Sequence, residues 1–295
     1  MQAMDRETQF QDLRPRLFAL AYRMLGTRAD AEDVVQDAYL RWQSASADEV
    51  RLPKSYLTTV VARLALDGLK AAHRQRETYV GPWLAEPLVE PVGTKPVEMA
   101  ESLSLAFLRL LESLSPVERV AFLLREVFDA SYEEVAVALN TNESNSRQIV
   151  TRARKHIQER RPRFAVDRER QSAVLSEFLT ACSTGDPTRL AALLSNDAVL
   201  FSDGGGKASA ALNPIVGADR VVRFLIGIGR KIPALSVELA EVNGEVGALL
   251  RDAGRPYSVL ALDLTAEGLI ANLYLVTNPD KLPRHANPDA FRQPI

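Results

Sequence analysis

Cysteine is nearly absent. Cys182 is the only one in 295 residues, so no internal disulfide can form and a reducing, cytoplasmic setting is expected. It lies in the apolar helical pattern AVLSEFLTAC, where a small buried hydrophobe is expected rather than a reactive thiol. Histidine is scarce as well: His73, His156 and His285 are widely separated and no Cys/His/Asp spacing suggests zinc, so neither a metal nor another cofactor is expected. No segment approaches the roughly 20 apolar residues needed to cross a bilayer, which leaves no role for a membrane. The opening MQAMDRETQF is mixed in charge and lacks the apolar core of a signal peptide. Phosphate-binding loops are missing too. The tempting stretch DGGGK (203–207) lacks the GxxxxGK[ST] spacing, and Ala208 stands where a magnesium-holding Ser or Thr belongs.

The composition that remains is that of a globular protein: 46% hydrophobic, 25% charged, and long enough for about two domains. Net charge is only −2, but it is segregated. An acidic run, DAEDVVQD, starts at Asp30, and a basic one, RARKHIQERRPR, covers Arg152 to Arg163. A local basic face can hold phosphates on a nearly neutral protein.

Apolar residues recur at helical spacing from about Thr8 to Arg76, in FQDLRPRLFALAYRML, AEDVVQDAYLRWQ and PKSYLTTVVARLALDGLKAA. A stretch carrying Gly81, Pro82, Pro87, Pro91, Gly93 and Pro96 then reads as an extended connector over 77–97. Helices resume over 98–163. Ser115-Pro116 with Glu118, and Ser131 with Glu134, carry the residues of two capping boxes. A charged helix from about Val166 to Thr184 leads into strand-like segments (DAVLFS, ALSVELAEV, EVGALLR, YSVLALDLT, LIANLYLVT), so 166–295 is expected to be a separate α+β domain.

The two helices from Ser131 to about Arg160 carry the clearest chemistry. Plotted at about 100° per residue, the second places Ile149, Val150, Ala153 and Ile157 on one side. Arg147, Gln148, Thr151, Arg154 and Lys155 fall on the other. Arginines for guanine edges, a glutamine for adenine and extra cations for phosphates are what a reading helix needs, so a DNA-binding helix-turn-helix is expected. A second basic helical surface holds Arg63, Lys70 and Arg74, with Lys54, His73 and Arg76 nearby. Asp30, Asp33 and Asp37 share a face that would suit a basic partner.

DAEDVVQDAYLRWQ followed by SYLTTVVARLALDGLKAAHR resembles region 2 of a bacterial sigma factor of the extracytoplasmic-function type, and LSPVERVAFLLREVFDASYEEVAVALN…SRQIVTRARKHI resembles its region 4. The fold this implies is multidomain, with an all-α region 2 bundle over 8–76 and an all-α region 4 helix-turn-helix over 98–163. The resemblance implies that Asp30, Asp33 and Asp37 grip the β′ coiled coil of the RNA polymerase core, with the β flap a second core contact. It further implies that Arg63, Lys70, Arg74 and Arg76 serve the minus-10 element, and Arg147, Gln148, Thr151, Arg154 and Lys155 the minus-35 element of promoter DNA. The turn NTNESN is more polar than usual in the family, and Lys70 stands where arginine is common.

The glycines of DGGGK read as a hairpin turn between the strand AVLFSD and a returning strand KASAAL. The last third resembles the SnoaL-like (NTF2-type) cone. A sigma-J-like subgroup of the family carries such a domain, with WLPEP-like, DGGGK and NPDKL motifs. Here they stand as Trp83-Leu84-Ala85-Glu86-Pro87, Asp203–Lys207 and Asn278–Leu282, with Ala85 the departure. The subgroup implies regulation in cis, through Trp83, Asp203, Lys207, Asn278, Asp280 and Lys281, without a separate anti-sigma factor. A small-molecule ligand inside the cone is an open alternative, and so is a ligand-sensing helix-turn-helix regulator. An isomerase or cyclase would need an acid/base pair, for which Asp197, Asp203, Tyr257 and Tyr274 are the candidates; ordinary strand-end polar residues explain them, and no enzyme is expected.

Overall fold

The computed structural model describes residues 6–46, 50, 52–76, 78–93, 103–158, 167–232 and 235–283, with the backbone alone for 73–76. The chain forms two compact units: Met1–Thr78 with Leu108–Arg161, and Tyr79–Phe107 with Pro162–Ile295.

The first unit is helical. α1 (Arg6–Leu25), α2 (Arg28–Ser44) and α3 (Pro53–Arg76) pack around Leu17, Leu20, Tyr22, Val35, Trp42, Leu57, Val61 and Leu69. α2 and α3 each bury one stripe of residues that recur every three or four positions, whereas α1 is buried on all sides from Ala19 to Leu25. α4 (Leu105–Leu111) carries the chain from the second unit back into the first. α5 (Pro116–Phe122) begins at Ser115 and α6 (Tyr132–Leu139) at Ser131; both expected capping boxes are formed, with Glu118 and Glu134 closing them. A π turn over Leu123–Val127 follows α5. Asn140 ends α6 in the left-handed region at φ 51°, a conformation asparagine tolerates better than most non-glycine residues. The polar turn therefore works without glycine, and the Asn142 carboxamide caps α7 (Glu143–Gln158) by accepting the Asn145 N–H at 2.8 Å.

In the second unit α8 (Arg168–Thr184), α9 (Pro187–Leu193) and α10 (Ala218–Lys231) lie against a seven-stranded mixed sheet. Its strands are β1 (Val89–Pro91), β2 (Leu194–Asp203), β3 (Ile215–Val216), β4 (Leu235–Val242), β5 (Glu245–Asp252), β6 (Arg255–Leu264) and β7 (Ile270–Val276). The order is β1-β4-β5-β6-β7-β2-β3, with only the β2–β7 pair parallel. Alternate residues Val246, Ala248, Leu260, Leu262, Leu273 and Leu275 meet Leu175, Phe178, Leu190 and Val221 in one core. Half-buried in this region, Cys182 has its thiol pushed up to about 12 by burial, which keeps it protonated.

One expectation changes. KASAAL is not a returning strand; β2 turns at the glycines, but its antiparallel partner β3 starts only at Ile215. The extended proline-rich connector joins the sheet: Val89–Pro91 adds antiparallel to β4 at Val242–Ala240. Leu88 and Asn243 bond twice (Asn243 N–H to the Leu88 carbonyl, 2.8 Å; Leu88 N–H to Asn243 Oδ1, 2.9 Å), while Asn243 Nδ2 donates to the Leu103 carbonyl. Pro91 is tolerated because it ends an edge strand, where no ladder N–H is required.

Candidate nucleic-acid interface and linker site

α7 divides as its sequence requires. Ile149, Val150, Ala153 and Ile157 are buried, whereas Arg147, Gln148, Thr151 and Lys155 are exposed and Arg154 is half-exposed. The helix is locked to α6 by the Ser146 hydroxyl, which is buried and donates to the Tyr132 carbonyl at 2.9 Å. Arg147 pairs with Glu143 one turn earlier and lies over the Tyr132 ring at 4.2 Å. Arg154 pairs with Glu126 on the π turn at 2.6 Å, which holds its guanidinium above the ordinary arginine range. Neither Tyr132 nor Glu126 was legible from periodicity, because both belong to the scaffold and meet α7 only through the turn.

The region 2 candidates have mixed surroundings. Arg63 is exposed in part yet bonds the last carbonyls of α6, Val137 at 2.5 Å and Ala138 at 3.3 Å. It therefore caps a region 4 helix, a favourable place for a cation. Glu134 likewise takes the Ser55 hydroxyl of α3, and this bond, with those from Ser131, lowers its carboxyl below the usual value. Lys70 is exposed and stands 3.7 Å from Asp67. The side chains of Arg74 and Arg76 lie outside the described residues, as do those of His73 and His285. Asp33 and Asp37 are exposed along α2; Asp30, also exposed, takes the hydroxyl of the N-cap Thr27. A cleft of about 200 Å³ opens beside these contacts, lined by Arg16, Lys54, Ser55 and Thr58 on one side and Phe128 and Glu134 on the other.

In the second unit the turn residues converge on the connector. Asp203 is 0% exposed and its carboxylate accepts four bonds: Tyr79 hydroxyl (2.6 Å), Leu84 N–H (2.9 Å), Gly205 N–H (3.0 Å) and Lys281 Nζ (2.8 Å). Lys281 also donates to the Leu84 carbonyl at 2.6 Å and stands over the rings of Trp83 (4.3 Å) and Tyr79 (5.0 Å). Asn278 Nδ2 donates to the Tyr79 oxygen at 2.9 Å, and Lys207 pairs with Asp280 on the exposed rim. A buried carboxylate with this many donors is compensated for the water it lost. Burial first, then Asp203, raise the Tyr79 phenol far above its ordinary value, so its hydroxyl remains a donor. The glycines serve this turn: a Cβ at Gly204 would meet the Ala208 carbonyl oxygen at 2.5 Å, and Gly205 combines φ 60° with a side against Asn278. Tyr79 and Asn243 escaped the sequence reading, since hydrogen-bonding residues in a connector or in the β4–β5 turn carry no periodic signal.

Of the catalytic candidates two are engaged elsewhere: Asp203 belongs to this cluster, and Tyr274 is buried and stacks on Phe201 (centroids 5.6 Å). Asp197 is exposed, and Tyr257 is half-buried, its phenol raised by desolvation.

Two family descriptions match the chain, Sigma-70 region 2 over residues 9–75 and Sigma-70, region 4 over 104–157. The chain is 39% identical to the ECF RNA polymerase sigma factor SigJ of Mycobacterium tuberculosis (strain H37Rv), across 93% of this chain and 92% of that protein. It belongs to the extracytoplasmic-function RNA polymerase sigma factors. A crystal structure of M. tuberculosis SigJ agrees in fold, with a TM-score of 0.77 and 36% identity over 93% of this chain and 97% of that one. The probable ECF sigma factor SigI of the same species is 31% identical over 90% of this chain and 91% of its own length. The fold class is thus helical sigma domains joined to a C-terminal SnoaL-like α+β domain, and the sigma factor acts in promoter-specific transcription initiation with the RNA polymerase core. Among the described residues no helix is long and apolar enough to cross a membrane, and no cluster of three or more potential ligands could hold a metal ion.

Proposed function

We propose that α7 reads the minus-35 element through Arg147, Gln148, Thr151, Arg154 and Lys155, and that α3, through Arg63 and Lys70 with Arg74 and Arg76, serves the minus-10 element. Asp33 and Asp37, assisted by Asp30, dock the sigma factor on the polymerase β′ coiled coil. The observation that supports this reading most is the clean division of α7: four apolar residues buried, and four polar or cationic ones exposed with a fifth half-exposed. Run-off transcription with purified core polymerase tests it. The full chain should confer initiation on a cognate promoter, Asp33→Lys with Asp37→Lys should abolish core association, and unchanged association would defeat the docking assignment.

The C-terminal domain regulates in cis, by holding the connector between regions 2 and 4 through Asp203, Lys281, Tyr79 and Asn243, so that a separate anti-sigma protein is not needed. This regulation fits the burial of Asp203 against Tyr79 and Leu84. Deleting the domain is a poor test, because Tyr79–Phe107 would lose the sheet it folds on. Lys281→Met in the full chain is better, keeping the stem over Trp83 and removing the charge; because it strands the Asp203 carboxylate, it is read at a temperature where a melt shows the second unit still folded. Transcript yield should change at equal core affinity, and an unaltered yield would refute the cis role. No enzymatic activity or bound effector is required by this account.

A further inference from the structure

Arg147 and Arg154 are seven residues apart, two helical turns and about 10 Å along α7. Long arginine side chains on a free surface sample many rotamers, about 2 kcal/mol of entropy that must be lost before two guanidiniums can meet two base edges. Here neither is free. Arg154 is held by Glu126 at 2.6 Å, and Arg147 by a residue outside α7, Tyr132 at the start of α6. Its ring carries Arg147 at 4.2 Å and Arg125 at 4.8 Å; Arg125 is itself fixed by a 2.9 Å bond to the Ala130 carbonyl. Its carbonyl receives the Ser146 hydroxyl, one residue before Arg147.

We propose that Tyr132 is a positioning residue for promoter readout: its ring sets the direction of Arg147, and through it fixes the base preference at the Arg147 position. This rests on the reading of α7 as the minus-35 helix. Tyr132 does not itself touch bases. A cation over an aromatic face keeps its outward N–H groups available, so Arg147 remains a donor while its plane is restrained.

The test uses full-length protein with core polymerase on promoters in which each minus-35 base pair is replaced in turn. Arg147→Ala and Arg154→Ala first identify the base pairs each arginine discriminates. Tyr132→Leu should lower discrimination at the Arg147 position about tenfold, the order of one good bidentate contact, and leave the Arg154 position unchanged. Tyr132→Phe keeps the ring and should leave both positions unchanged. The slope of affinity against salt should stay the same in both, because no charge is removed; a merely structural role for Tyr132 would weaken binding to all promoters alike. Parental base preference in Tyr132→Leu at the position Arg147→Ala relaxes would overturn the proposal while sparing the reading of α7. Failure of the alanine variants to relax any position would overturn both. If Tyr132→Leu melts at lower temperature than the parent, the Arg154 position is the internal control: relaxation at the Arg147 position alone supports the assignment, and equal relaxation at both refutes it.

Discussion

On α7 the cations stand at the surface, paired with glutamates that can let go, whereas in the second unit Asp203 and Lys281 are sealed from water with every neighbour committed. An exposed ion pair contributes little to stability and is screened by salt, so its arginine can be released to a phosphate or base at small cost. A buried pair is the reverse. It adds little or no net stability against a well-packed apolar substitute, but losing one member strands the other, at about 3–5 kcal/mol. The same residue types therefore give a surface that can exchange partners and a joint that cannot.

The sharpest way to break the comparison is Asp203→Ala. It should cost the second unit about 3–5 kcal/mol in urea unfolding and speed amide exchange over residues 79–84; a loss near that of a surface substitution would mean the joint is not a buried ion pair. Next is pH. Desolvation, and then the charge of Asp263, push the Glu245 carboxyl up to about 7. Since its folded value lies above the unfolded one, the unfolded chain releases this proton first. Stability is full below about pH 4.5 and is lost as pH rises to about 7, by at most about 3 kcal/mol. Asp263, raised by burial in the same direction, adds to the trend. Glu245→Gln should flatten the profile, read by thermal melts across pH 5 to 8.

The exposed side predicts smaller changes in stability. Arg63→Ala removes two bonds to the α6 carbonyls and should lower the first unit's stability by about 1 kcal/mol. Lys155→Ala should leave unfolding within about 0.5 kcal/mol of the parent while lowering the salt slope of DNA binding by about one ion. Equal losses from Lys155→Ala and Asp203→Ala would erase the distinction between the two surfaces.

Periodicity marked α1, α2, α3, α7 and α8 because apolar residues recur at helical spacing along each, and cap residues marked the starts of α5 and α6 for an equally local reason. The five longer strands were visible from their β-branched and apolar runs, while β1 and β3, at three and two residues, are too short to show a period. DGGGK was legible as a turn from its glycines, but not the buried carboxylate beside them. An aspartate before glycines is an ordinary turn residue until Tyr79, Leu84 and Lys281 are brought around it.

What the sequence determined by itself was chiefly local: helix faces, caps, the charge divided across α7, and motifs specific enough to reach the sigma-factor family. Tertiary structure alone decided that the proline-rich connector pairs with β4, that Arg63 caps α6, and that Tyr132 stands under Arg147. The physical reason is range. Backbone propensity and amphipathic period act over a few residues, whereas a hydrogen bond from Lys281 to Asp203 or Leu84 exists only after some 80 to 200 residues of intervening chain have folded to place its two ends together.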